Sequence, residues 1–172
     1  MSKPTAADGF FPVEALVSRL SATFSFEPSG TRAGAHAVQE GSGVYGVLAG
    51  ADRVGDEPRL LIDFNQGRPL LTAHGQQVGE RHGDIVRLWG QDYHLRSPRY
   101  RSWLRLRVRV EVTVAERPVL RAYEQSDPGR TVRTLRAESD PALDPMVALA
   151  LLLLVTRPDK MGVLGELFKN AE

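Results

Sequence analysis

Residues 102–116 read SWLRLRVRVEVTVAE, with apolar side chains at every even position from Leu104 to Val114. Arg105, Arg107, Arg109, Glu111 and Thr113 fill the odd positions between them. Strict period 2 predicts one long strand with a buried face and a wet face, the pattern of an antiparallel sheet rather than of a parallel one covered on both sides. Shorter segments of the same kind lie on either side. Residues 59–64 and 69–74 flank the turn Asn65-Gln66-Gly67-Arg68, residues 84–89 and 91–96 flank Gly90, and residues 119–124 and 131–137 flank Ser126-Asp127-Pro128-Gly129. Runs of this length joined by such turns predict hairpins and a β-meander. ATFSF at 22–26 precedes an EPSG turn, and the glycine-rich stretch 30–55 offers few clear strands.

The pattern changes at Asp140. Every residue from Met146 to Val155 is apolar, and Asp144-Pro145 stands ahead of them. Asp is a good N-cap and Pro fits the first helical turn, so a helix is expected from 145, ending at Arg157 ahead of Pro158. A helix that is apolar all round has to be buried on every side. A parallel-sheet strand here would need helical crossovers that the preceding segments do not offer, so the sheet itself must do the burying. The fold class expected is therefore mainly β: a strongly curved antiparallel sheet or closed barrel around a central hydrophobic helix at 145–156. A short N-terminal helix is expected over 10–20, because Phe10, Val13, Leu16, Val17 and Leu20 follow helical spacing and Pro12 falls in its first turn. The polar residues 1–9 read as a disordered tail, and 10–172 as a single barrel-like domain.

Composition changes little in this picture but excludes much. The chain has 172 residues, 42% of them hydrophobic and 25% charged, which is ordinary globular usage. It contains no cysteine, so disulfides, thiolate zinc sites and cysteine nucleophiles drop out together. No apolar run approaches the roughly eighteen residues of a membrane helix. The first residues lack the apolar core of a secretory signal, and a cytoplasmic protein is expected.

The order of strands, with one late, wholly apolar helix opened by Asp144-Pro145, resembles the tubby C-terminal-like superfamily, which includes the LURF-one-related proteins and the scramblases. The hairpin RLLIDFNQGRPLL at 59–71 resembles that family's early strand pair. The resemblance spans about 20–157 and implies a barrel of roughly twelve strands closed around the helix Asp144 to Val155. It also implies, for some members, a role at phosphoinositides or membrane surfaces. It does not imply scramblase activity, because the cysteine cluster and membrane-inserting tail of that branch have no counterpart here.

Charge is unevenly distributed. Residues 1–84 carry a net −3, residues 85–136 a net +7 and residues 137–172 a net −3. A basic segment between acidic flanks marks an anionic partner, unless its arginines pair with carboxylates on a solvated sheet face. Arg105, Arg107 and Arg109 are the candidate anionic-surface residues, being spaced about 6.6 to 6.8 Å apart on one face of an ideal strand. Trp89, Tyr93, Tyr100, Trp103 and Tyr123 interleave with this segment, as in single-stranded nucleic-acid binders, although core packing is the more ordinary use of such residues.

Other motifs carry less. GSGVYGV at 41–47 fits a dinucleotide or kinase glycine loop, but no lysine follows within a hundred residues and Val44 to Asp52 makes a poor helix, which leaves a glycine-rich strand or loop. His36, His74, His82 and His94 show no metal-ligand spacing, so neither metal nor cofactor is expected. His82 with Asp84, or His94 with Asp92, has the spacing to orient an imidazole for base catalysis. No nucleophile motif accompanies either pair. The reading is thus a non-catalytic binding or interaction module, whose partner is an anionic lipid surface or another protein. A small hydrolase using a strand histidine and a single-stranded nucleic-acid binder are the alternatives.

Overall fold

The computed structural model describes residues 9–26, 34–49, 60–96, 100–102, 105–107, 109–126 and 131–160. Twelve strands form a closed antiparallel barrel: β1 (Phe11–Ser18), β2 (Ser21–Phe26), β3 (Ala35–Gly41), β4 (Val44–Ala49), β5 (Leu60–Asp63), β6 (Leu70–Ala73), β7 (Gln76–His82), β8 (Ile85–Leu88), β9 (Gln91–Arg96), β12 (Arg109–Val114), β13 (Arg117–Glu124) and β14 (Val132–Ser139). Each pairs with the next along the chain, and β14 pairs back onto β1. Two further strands, β10 (Tyr100–Ser102) and β11 (Arg105–Arg107), pair with each other outside the barrel.

The α-helix α1 (Pro145–Thr156) lies in the barrel core. Asp144 caps it, its Oδ1 accepting the Met146 N–H at 2.8 Å, and Pro145 opens it, as the sequence predicts. Ala148 to Leu154 have no solvent exposure at all. The cluster they pack in draws buried side chains from eleven barrel strands, and the half-buried Val78 adds the twelfth, β7. Each buried leucine contributes about 1.5–3 kcal/mol, which is available only because the wall surrounds the helix completely.

The N-terminal helix expected over 10–20 is instead β1. Its buried residues are Val13, Ala15 and Val17, at period 2, while Leu16 points outward. Closure explains the override: β1 is the strand that joins β2 to β14, and without it the barrel would have two open edges. The long strand expected over 102–116 is also corrected, because β11 and β12 belong to different sheets. Leu104 and Val108 lie outside the described residues. So do most of the tail at 1–9, the EPSG turn and residues 161–172. The glycine-rich stretch contributes the β3–β4 hairpin that the sequence pattern left unclear. Gly43, at φ +73°, lies in its turn against Asn65, where a Cβ would come within 2.6 Å of Oδ1.

The barrel has two distinct rims. At the amino rim, where α1 begins, three hairpins close with two-residue turns, His74-Gly75, Trp89-Gly90 and Ala115-Glu116, all at positive φ as type I′ turns require. At the carboxyl rim, where α1 ends, lie the turns β1–β2, β3–β4, β5–β6 and β7–β8. If α1 supports the wall from inside, Leu151→Asp or Leu152→Asp should cost several kcal/mol, comparable to the whole stability of a domain. Loss of soluble expression and of the cooperative thermal melt is the expected result, and a normal melt would rule out a supporting role for the helix.

Candidate anionic-surface site

The carboxyl rim is built around the carbonyls of the last helical turn. Such a turn leaves carbonyls without helical partners, and inside a barrel water cannot serve them. The Arg157 N–H bonds the Leu153 carbonyl at 3.0 Å, and Arg157 itself is the left-handed cap at φ 51°. Arg81 of β7 donates from Nη1 to the Leu154 carbonyl at 2.7 Å, and Arg133 of β14 donates from Nη1 to the Thr156 carbonyl at 3.0 Å. Cations thus meet the negative end of the helix dipole from well-separated parts of the wall.

Each of these arginines is itself held. Arg133 forks onto Glu124 through Nε and Nη2, at 2.5 and 2.8 Å, and Glu124 is only 4% exposed. Arg157 pairs with Asp159 at 2.8 Å, which keeps its pKa raised, and stacks 4.6 Å above the Phe64 ring. Burial lowers the pKa of Arg81. Tyr45 is fully buried, donates to the Arg19 carbonyl at 2.9 Å, and has its pKa pushed up to about 12 by burial and then by nearby Asp159. This cluster is a structural lock on the helix end.

The arginines of the barrel wall are also matched. Arg87 binds Asp92 at 2.8 Å and holds that carboxyl below its usual range. Along one row of cross-strand neighbours the order is Arg96, Glu111, Arg121, Glu138, running over β9, β12, β13 and β14 with alternating charge. Arg109 is exposed on the next row and lies 5.7 Å from the centre of the Tyr123 ring. For Arg87, Arg96 and Arg121 the ordinary reading, arginines matched with carboxylates on a solvated sheet face, describes the wall well, but Asp92 and Glu111 come from the basic segment itself and only Glu138 from a flank.

The outer hairpin differs. Arg96 pairs with Glu111 in the barrel, and moving four residues along both strands leads to Tyr100 paired with Arg107. The β10–β11 pair thus has the register that β9 and β12 would give if extended past the carboxyl rim, although it forms a sheet of its own. In its register Arg107 is paired with Tyr100, Arg105 with Ser102 and Arg101 with Leu106, with no Asp or Glu among the paired positions. The segment 96–109 holds six arginines and no Asp or Glu. Arg105 and Arg107 belong to the hairpin and Arg109 to the wall at its base, so the predicted row bridges two sheets.

The other sequence-level candidates are not brought together. Trp89 sits at the amino rim, Tyr93 packs on the core, Tyr123 lies on the outer wall, and Trp103 is outside the described residues. Asp92 is taken by Arg87, which removes it as an orienting partner for His94. His82 lies 3.0 Å from Glu80 and contacts Arg68, all on the surface. Gly41 ends β3 and Gly46 lies within β4, so the 41–47 motif opens no helix. Among the described residues no group of three His, Asp or Glu is arranged to hold a metal ion, and no helix is long and apolar enough to cross a membrane. Comparison of the chain with protein-family models, curated proteins and solved structures finds no match.

Two predictions test the lock. Arg133→Met should cost about 3–5 kcal/mol in urea unfolding, because it strips buried Glu124 of its forked partner. Most of that loss should return in the double variant Arg133→Met, Glu124→Leu. Because the folded-state pKa of Tyr45 is raised, the stability it contributes is intact below pH 10 and is lost as pH rises toward 12. Tyr45→Phe should therefore flatten the alkaline end of the stability curve, while losing about 1 kcal/mol at neutral pH with its hydrogen bond.

Proposed function

We propose that this protein is a non-catalytic binding module of the tubby C-terminal-like kind, which recognises anionic lipid headgroups, phosphoinositides among them, through the basic β10–β11 hairpin. The family reading is supported by a twelve-stranded closed barrel around one buried helix. The observation that carries the binding reading is a contrast between two neighbouring strand pairs. Where β9 meets β12, Arg96 stands in register with Glu111, whereas β10–β11 sets tyrosine, serine and leucine in register with arginine.

In water, like charges at same-face strand spacing repel by only about 0.6 kcal/mol per neighbouring pair, so the hairpin tolerates its own charge. Near an anionic bilayer each arginine contributes about 1 kcal/mol of attraction. Three together then supply about 3 kcal/mol, or two orders of magnitude in partitioning. Headgroups are favoured over single-stranded nucleic acid because, among the described aromatic residues of the basic segment, Trp89 at the amino rim, Tyr93 on the core and Tyr123 on the outer wall lie apart.

The test uses the full chain with vesicles of neutral phosphatidylcholine, the same lipid with 30 mol% phosphatidylserine, and the latter with added phosphatidylinositol bisphosphate, alongside a single-stranded oligonucleotide. Association with the anionic vesicles alone, falling steeply as salt rises, is the expected outcome. The variant Arg105→Ala, Arg107→Ala, Arg109→Ala should bind about a hundredfold more weakly with an unchanged thermal melt. Absence of vesicle binding at low salt, or tighter binding to the oligonucleotide than to vesicles, would overturn the proposal.

A further inference from the structure

The carboxyl rim carries more than charge. Leu20, in the β1–β2 turn, is 66% exposed, Val132 at the start of β14 is 45% exposed, and Ile85 at the start of β8 is 39% exposed. Leu20 and Val132 line a groove of about 440 Å³ together with Ser18, Arg19, Gln39 and Thr131. Ile85 stands well away from them around the barrel, since β13, β12 and β9 separate β14 from β8. Arg19 and Arg68 are exposed in turns of the same rim, and the basic hairpin leaves it from β9 and β12. Apolar contact points on separated strands, set among cations, form a ring with the composition of a membrane interface: side chains that enter the headgroup layer beside side chains that bind its phosphates.

We infer that the barrel docks end-on to an anionic bilayer, with the carboxyl rim against the headgroups and Leu20, Val132 and Ile85 reaching toward the acyl boundary. The inference rests on the lipid reading above and adds its geometry: the axis of α1 stands upright on the membrane, carboxyl end down. That orientation would set the negative end of a helix dipole against negative lipid, were the end bare. Here Arg81 and Arg133 occupy its carbonyls and Arg157 caps it, so the rim does not present that charge. The rim carboxylates are largely engaged as well: Asp159 with Arg157, Glu124 with Arg133, and Asp63 with the Asn65 N–H at 2.8 Å. Exposed Asp84 lies close enough to Arg81 to favour its charged form. At the amino rim Trp89 is 50% exposed, and Asp140 and Asp144 are likewise engaged, with Arg117 and the Met146 N–H; what sets the carboxyl rim apart is the basic hairpin and its three exposed apolar residues.

The absence of cysteine makes the orientation directly measurable, because single cysteines at Leu20, Ile85, Val132 or Trp89 can each carry one polarity-sensitive fluorophore. With phosphatidylserine vesicles whose acyl chains are brominated, probes at 20, 85 and 132 should shift to the blue and be quenched, while the probe at 89 stays unchanged. Leu20→Asp with Ile85→Asp should lower vesicle binding at least tenfold and leave the melt unaltered, because both sites are exposed. Co-sedimentation of the unlabelled protein separates the two claims. No sedimentation with anionic vesicles would overturn the lipid reading itself. Sedimentation with a silent rim, or with the probe at 89 responding as strongly as those at 20, 85 and 132, would overturn end-on docking alone.

Discussion

The structure depends on burying a helix that has no polar side. Ten successive apolar residues cannot face water on any quadrant, and the wall must enclose all of them or none of the fold persists. Closure follows from that demand. A flat or two-layer sheet would cover one face of α1, whereas twelve strands joined edge to edge cover every face and also remove the unpaired edges that an open sheet exposes.

Enclosure brings a second requirement, which is to satisfy the helix's own terminal groups where water is scarce. At the amino end Asp144 meets it locally, from the residue before the helix. At the carboxyl end the partners come from far away in the chain: Arg81, 73 residues before Leu154, and Arg133, 23 residues before Thr156. These bonds make the wall and the helix interdependent. They also consume cationic charge that a count along the sequence would assign to the surface.

The charge that remains is sorted by position. On the wall, arginines alternate with glutamates across neighbouring strands, an arrangement that stabilises modestly and leaves little net field. In the separate β10–β11 pair no acidic residue stands in register with an arginine. Apolar side chains exposed on the carboxyl rim give that end a chemistry distinct from the opposite one, where tight type I′ turns close the hairpins.

The sequence by itself determined the elements whose patterns are local. Asp144-Pro145 and the apolar run marked α1 to within a residue, and Asn65–Arg68 and Gly90 marked their hairpins, because caps, turns and period-2 alternation are short-range physics. It also determined that α1 would be enclosed. Only the tertiary structure decided the fate of residues 10–20, where Val13, Val17 and Leu16 fit a helix as well as a strand until β2 and β14 needed a partner to close the barrel. Tertiary structure likewise divided 102–116 between two sheets, since whether a period-2 segment lies in a wall or beyond it depends on where its neighbours end. It also decided which arginines hold the helix end. Arg81 and Arg133 look like any other arginine along the chain, because the carbonyls they serve are distant in sequence and come within reach only when the barrel closes around α1.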